Sequence, residues 1–311
     1  MGRIRKASSV FSMSEFVATL PSLAVRSLSA RSGRLLRRIR GNVLEEFADV
    51  QKDVQLGSEY RVLEDTGSHL LFEYSNDVGK KNVIKVRRGT SDLKAFLQVI
   101  AKKEYGALEK LVKQFTDPSD IRFVVDAGSN AGFTTIYFSQ IFPNAQFICV
   151  EPDLGNYETL VANLQLNDLS RAQPFNGGLW GRSTTLVPDR SFRDGAEWAI
   201  RLIEAERGGE TDGGINVLSL DDLLEKFDFP HIDVLKMDVE GSEFSVFDSA
   251  EATANILGKT KFLALEIHEE AGSRSQIESY LSENGFVYFD LHETTFGVNL
   301  RHFPGVRSLS R

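Results

Sequence analysis

The chain reads as an α/β protein with a mainly parallel sheet and helices on both faces. Three observations carry that reading. From residue 123 onward, short apolar runs alternate with helical stretches, the pattern of parallel strands joined by crossover helices. A glycine loop, Asp126-Ala127-Gly128-Ser129-Asn130-Ala131-Gly132, joins the first run to the first helix. The runs also end in polar residues, namely Asp126, Glu151, Asp238 and the pair Glu266/His268. That puts them at the carboxyl ends of strands, where open α/β sheets bind ligands.

The elements follow in order. Residues 68–90 suit short strands around an Asn76–Gly79 turn, with Val83, Ile84 and Val86 as β-branched positions. Ser91 is placed to cap one helix running through Phe96, Val99, Ile100, Leu108, Leu111 and Val112. Asp117-Pro118-Ser119-Asp120 breaks it. Phe123-Val124-Val125 is the first strand of the repeat, and Phe133–Phe142 suits its helix. Gln146–Val150 is a strand, followed by a helix through Leu160, Val161 and Leu164. A third strand near Ala172–Asn176 leads into Gly177-Gly178. Ile232–Met237 and Phe262–Ile267 are further strands. A helix over Gln276–Asn284 stops at Gly285, and Phe286–Asp290 with Thr295–Leu300 forms a closing strand pair.

The 311 residues, 41% of them hydrophobic, are ample for a large core. One cysteine, Cys149, excludes an internal disulfide and a cysteine metal cluster, and fits a reducing, cytoplasmic setting. No run approaches 18 apolar residues, so no transmembrane helix is expected. The net charge of −8 is unevenly spread: residues 1–40 hold nine Lys/Arg and one acid, leaving a body of net −16. An acidic body argues against non-specific nucleic-acid binding, which needs cationic contacts to phosphate. The basic arm, with Arg34, Arg37, Arg38, Arg40 and a loose stripe of Leu20, Leu23, Leu28, Leu35 and Ile39, admits three readings. It is a partly ordered solvated arm, a helix making peripheral membrane contact, or a targeting peptide. The expected division is a basic extension over 1–67, lead-in strands and helix over 68–119, and a main domain over 120–311 with an insertion at 182–216. A long excursion at the ligand end of a sheet is often a substrate loop.

The loop and Glu151 narrow the ligand. Glycines allow a tight strand-to-helix turn and close approach of backbone to ligand. A carboxylate at the second strand end, 25 positions after Asp126, can accept hydrogen bonds from both hydroxyls of a ribose. A dinucleotide fingerprint needs a second glycine where Asn130 stands, which argues against a nicotinamide-dependent oxidoreductase. An acid opening the loop suits a ligand with a cationic or amino-acid portion better than a pyrophosphate.

These residues resemble the FkbM family of S-adenosylmethionine-dependent methyltransferases. The resemblance rests on Val125–Gly132, on Val150-Glu151-Pro152-Asp153, on Leu265–His268 and above all on Ile232-Asp233-Val234-Leu235-Lys236-Met237-Asp238-Val239-Glu240-Gly241-Ser242-Glu243. Arg88–Asp92 and Glu104-Tyr105 are similar to the family's lead-in, so the likeness spans about residues 83–300. It implies a Rossmann-like class I methyltransferase fold with a seven-stranded, mainly parallel sheet. It also implies that Asp126, Gly128, Ser129, Asn130 and Gly132 hold the methionine end of S-adenosyl-L-methionine, that Glu151 holds the ribose, and that Asn176 and Gly177 sit near the adenine. Asp238 would lie beside the reactive sulfonium.

Asp238, His268 and Glu240 are the candidate catalytic residues: Asp238 to organise cofactor and acceptor, His268 or Glu240 to help take the acceptor's proton. Lys236, inside an apolar strand, is expected to pair with a carboxylate such as Glu240 or Glu266. Carboxylates plus one histidine also suit a divalent ion, though no spacing demands one and no metal ligand is assigned. The expected reaction is O-methylation of a sugar or other small molecule, with the acceptor's identity and the oligomeric state left open. A protein that binds the cofactor without turnover is the non-enzymatic alternative.

Overall fold

A computed structural model describes residues 60–75, 79–189, 201–203 and 214–304. The basic arm up to residue 40, the centre of the Asn76–Gly79 turn, and residues 190–200 and 204–213 of the insertion lie outside the described residues.

The described chain opens on a meander of three antiparallel strands, β1 (Tyr60–Asp65), β2 (His69–Ser75) and β3 (Lys81–Arg87). Helix α1 (Asp92–Phe96) runs straight into a π-helical turn over Leu97–Ala101, and α2 spans Gly106–Phe115. The single helix expected from Ser91 through Val112 is therefore two. Its apolar positions do share one core on both sides of the break. Lys103, however, adopts a left-handed backbone (φ 51°) that no helix accommodates. Ser91 stands at the start of α1 but makes no side-chain capping bond.

The repeat then begins. Strand β4 (Phe123–Ala127) is followed by α3 (Phe133–Ile141), and β5 (Gln146–Glu151) by α4 (Leu154–Leu166), whose first turn is capped by the Asp153 carboxylate accepting from Asn156 N–H at 2.8 Å. β6 (Ala172–Asn176) completes this half. The insertion contributes to a small second sheet of β7 (Gly178–Leu179), β8 (Thr184–Asp189), β9 (Arg201–Ile203) and β10 (Ile215–Leu218). After α5 (Leu220–Lys226) come β11 (Ile232–Met237), α6 (Glu243–Val246), α7 (Ala250–Gly258), β12 (Thr260–Glu266), α8 (Arg274–Glu283), β13 (Phe286–Leu291) and β14 (Thr294–Asn299).

Seven strands form the central sheet in the order β13-β14-β12-β11-β4-β5-β6. All neighbours from β12 to β6 pair in parallel, and β14 pairs antiparallel with both β12 and β13. Side chains alternate between two cores, as a period of two requires. Val124, Phe147, Cys149, Val234 and Phe262 face α2 and α3. Val125, Ile148, Val150, Leu235 and Leu263 face α5, α7 and α8. Both faces are covered, so the strands read as continuous apolar runs rather than alternating ones.

The lead-in meander is tied to this body through polar side chains. Asn163 of α4 accepts from Lys85 N–H at 2.7 Å and donates to Lys85 O at 3.1 Å and Ala131 O at 2.8 Å. One turn on, Asn167 accepts from Val83 N–H at 3.0 Å and donates to Val83 O at 2.7 Å. Arg87 N–H donates to the buried Asp92 carboxylate at 2.9 Å, and the Arg87 guanidinium grips the same carboxylate at 2.7 Å. The guanidinium also donates to Asn156 Oδ1 at 2.6 Å. Among the described residues no helix is long and apolar enough to cross a membrane.

Asn163→Ala strands backbone groups of Lys85 and Ala131, and each unsatisfied buried group costs about 1–3 kcal/mol. Denaturant titration is expected to show a loss of roughly 2–3 kcal/mol, with Leu166→Ala, an exposed change on the same helix, close to wild type. An unchanged midpoint for Asn163→Ala would show that the amide does not hold β3 in place.

Candidate active site

The site lies at the carboxyl ends of β4, β11 and β12. The backbone builds its floor. Gly128 and Ser129 N–H both donate to Val150 O (3.0 and 2.9 Å), and Asp238 N–H donates to Ala127 O at 3.1 Å. The β4 loop is thus laced to both neighbouring strand ends. Gly128 has φ 76°, and a Cβ there would collide with the backbone carbonyl of Asp238. The glycine is needed for that closeness as well as for its backbone angle.

Lys236 lies beneath the loop, 2% exposed. Its ammonium donates to Gly128 O at 2.6 Å and Ala127 O at 3.1 Å and stands 3.4 Å from the Asp126 carboxylate. Its ion-pair partner is therefore Asp126, where Glu240 or Glu266 was expected from sequence. The reason is register: Lys236 lies directly beside Asp126 across the parallel β11–β4 pair, so both side chains point to the same face. Burial alone would lower the Lys236 ammonium, but Asp126 and Asp238 outweigh it and hold it above its ordinary value. Asp126 is fully buried and also accepts from Thr135 Oγ1 at 2.6 Å.

A cavity of about 270 Å³ opens above this floor. Gly128, Ser129, Asn130 and Asp238 line it, together with Glu240 and Lys236. Asp126, Gly132, Glu151, Asn176 and Gly177 do not. Asp126 acts from behind Lys236. Gly132 packs against Leu160. Glu151, 5% exposed, accepts from Asn130 N–H at 2.8 Å, from Asp153 N–H at 2.9 Å and from Asn156 Nδ2 at 3.3 Å. Asn176 donates to Glu151 O at 3.0 Å, and Gly177 N–H donates to the same carbonyl at 3.1 Å. These residues brace the loop from the β5–β6 side.

The cavity's far wall was not assigned from sequence. Lys94 comes from α1, Gln98 and Val99 from the π-helical turn, Glu104 and Tyr105 from the break before α2, and Glu293 from the β13–β14 turn. The break that left-handed Lys103 makes is what turns Glu104 toward Asp238. Burial, followed by the charge of Asp238, pushes the Glu104 carboxyl up to about 7. Burial and Asp238 likewise push Glu266 up to about 8.

His268 is 3% exposed and surrounded by acids. Its Nδ1 is 3.0 Å from Glu243 Oε1, and its Nε2 is 3.8 Å from Asp238, 3.5 Å from Glu240 and 3.6 Å from Glu266. Burial alone would lower the imidazole, but the Glu243 hydrogen bond and charge, with Asp238 and Glu240, raise it to about 9. The structure therefore brings together the three candidate catalytic residues. It adds Glu243, which stood in the same sequence block without a role.

Seven strands in this order, with an antiparallel hairpin at one edge and a glycine loop after the central strand, make a Rossmann-like class I methyltransferase fold. The Methyltransferase FkbM domain profile matches residues 126–288, and the chain belongs to that family. The methyltransferase sdnD of Sordaria araneosa is 31% identical over 193 residues, 53% of this chain and 73% of that protein. The 2-O-methyltransferase NoeI of Sinorhizobium fredii is 28% identical over 197 residues, 60% of this chain and 73% of its own length. Among solved structures, the METTL16 methyltransferase domain aligns with a TM-score of 0.41 at 11% identity, covering 73% of this chain and 85% of that one.

Burial, against the pull of three hydrogen bonds, raises the Glu151 carboxyl from its ordinary 4.5 to about 7. The folded protein then keeps a proton that the unfolded chain has lost, so this group's contribution to stability falls as pH rises from about 4.5 to 7. Glu151→Gln does not titrate. Its stability relative to wild type is expected to rise by roughly 3 kcal/mol between pH 4.5 and pH 8. Paired denaturation curves across that range check this, and a flat difference would contradict the raised value.

Proposed function

We propose that this protein transfers a methyl group from S-adenosyl-L-methionine to a hydroxyl of a sugar or another small molecule. The observation that carries the reading is the cavity itself, where the glycine loop of β4 faces the Asp238 carboxylate across a pocket rich in acids. That donor set fits the cofactor: a sulfonium and an α-ammonium are cations, and Asp238, Glu240, Glu266 and Glu104 of the cavity wall would surround them. Gly128, Ser129 and Asn130 would hold the methionine end, braced from behind by Asp126 through Lys236 and by Gly132. The ribose and adenine end would extend beyond the cavity to the β5–β6 side of the loop, toward Asn176, Gly177 and the acceptor capacity that three hydrogen bonds leave on the Glu151 carboxylate. When bound, the cofactor supplies an electrophilic methyl on sulfur.

The rest is positioning and proton handling by the chain. Holding the acceptor in line is the larger task, and orientation of this kind supplies on the order of 7–11 kcal/mol. We assign the hydroxyl proton to Asp238 rather than to Glu240 or His268, because its side chain is 34% exposed and theirs are 12% and 2%. Glu240 and His268 stand behind it and share the charge. We assign acceptor choice to the 182–216 insertion, which enters the second sheet through β8, β9 and β10. The 2-O-methyltransferase relative supports a hydroxyl as the acceptor.

The test is ligand binding followed by turnover. S-adenosylhomocysteine at about 100 times its dissociation constant should add roughly 2.7 kcal/mol, raising the thermal midpoint by about 5–10 °C, while NAD gives no shift. A folded Glu151→Ala variant should lose most of that shift. Radiolabelled methyl transfer to a panel of glycans and hydroxylated small molecules then identifies the acceptor. Absence of S-adenosylhomocysteine binding by calorimetry would refute the proposal.

A further inference from the structure

His268 faces three carboxylates through its Nε2, which makes a hydrogen bond to none of them. Its Nδ1 is committed to Glu243 Oε1, and that carboxylate is itself fixed, accepting from His268 N–H at 2.6 Å and, through Oε2, from Gly241 N–H at 2.9 Å. Glu243 is fully buried. Such a carboxylate holds the ring in one orientation with a proton on Nδ1, and a cation at Nε2 would take the place of the proton that the surrounding carboxylates otherwise keep there. Nε2 is buried and has no hydrogen-bond partner among the described residues. A buried polar atom left unbonded is costly, and native proteins rarely keep one without a use.

The atoms facing Nε2 say what the use is. Carboxylate oxygens of Glu240, Glu266 and Asp238 stand 3.5, 3.6 and 3.8 Å away. One ligand atom each from Asp238, Glu240 and His268 can be chosen so that all lie within 4.8 Å of one another. Two atoms that share one ion at about 2.1 Å sit about 3 Å apart when adjacent and about 4.2 Å when opposite. The backbone serves the same convergence: past the end of β11 at Met237, Glu240 and Gly241 take left-handed angles (φ 53° and 96°) that turn the chain within reach of Asp238.

We infer that Asp238, Glu240 and His268 form a divalent-cation site, with Glu266 as a fourth ligand and Glu243 as the residue that orients the imidazole. One nitrogen among several carboxylate oxygens suits Mn²⁺, whereas an all-oxygen set would suit Mg²⁺ or Ca²⁺. The site opens on the cavity through Asp238. A cation there would hold an acceptor hydroxyl and ease its deprotonation. That role rests on the methyl-transfer reading, but the cation site does not.

The full chain, stripped with EDTA and free of cofactor, is titrated by calorimetry with MnCl₂, MgCl₂ and ZnCl₂. One Mn²⁺ per chain is expected, with Mg²⁺ weaker. Asp238→Asn and His268→Gln should each weaken Mn²⁺ at least 100-fold, and Glu243→Gln by about 10–100-fold. If the buried His268 variant fails to fold, Asp238→Asn decides, because that side chain is partly exposed. Glu151→Ala should keep the Mn²⁺ titration while losing S-adenosylhomocysteine. No heat from any of the three cations on folded wild type, or equal Mn²⁺ affinity in wild type and Asp238→Asn, overturns the site. Mn²⁺ binding with no S-adenosylhomocysteine binding would leave the site standing and remove the methyl-transfer reading.

Discussion

One buried ammonium holds the site together. Lys236 reaches from β11 to the backbone carbonyls of Ala127 and Gly128 and sits beside Asp126. A charge so far from water persists only if it is paired and fully hydrogen-bonded, and removing one partner of such a pair typically costs 3–5 kcal/mol. Here the arrangement also sets geometry. The loop cannot lift away from β11 without exposing the charge, and Gly128 cannot accept a side chain without striking Asp238. The distance between the loop and Asp238 is thereby set before any ligand arrives, which is the preorganisation that methyl transfer requires.

Much of this was legible in the residues. The parallel sheet, the glycine loop and the polar strand ends follow from alternation and from residue type, and the block from Ile232 to Glu243 named the family. The partner of Lys236 was also readable, though by a different signal. In a sheet covered on both faces, residues two apart share a face, so Val124 and Asp126 must lie on one side with Val234 and Lys236. Parity across neighbouring strands pointed to Asp126, whereas proximity in sequence pointed to Glu240.

Other features left no such trace. The apolar positions on either side of the break, from Phe96 to Val112, share one core, and only the charged run Lys102-Lys103-Glu104 and Gly106 hinted at the break that delivers Glu104 to the cavity. The burial of Glu151 depends on Asp153, Asn156 and the loop closing around it, which is a tertiary outcome. The role of Glu243 depends on α6 folding back beneath His268, 25 residues away in sequence, and no local pattern announces that.

The polar ties between β3 and the body have a further consequence. β3 is an edge strand, and an unpaired edge is a template for joining another chain. Here the amides of Val83, Lys85 and Arg87, every second residue along the strand, are all taken by side chains: Asn167, Asn163 and Asp92. Two asparagines one helical turn apart stand in for a neighbouring strand, matching the pitch of α4 to the two-residue repeat of β3. The meander therefore ends on a helix rather than on an open ladder, and this border of the protein is closed to strand addition.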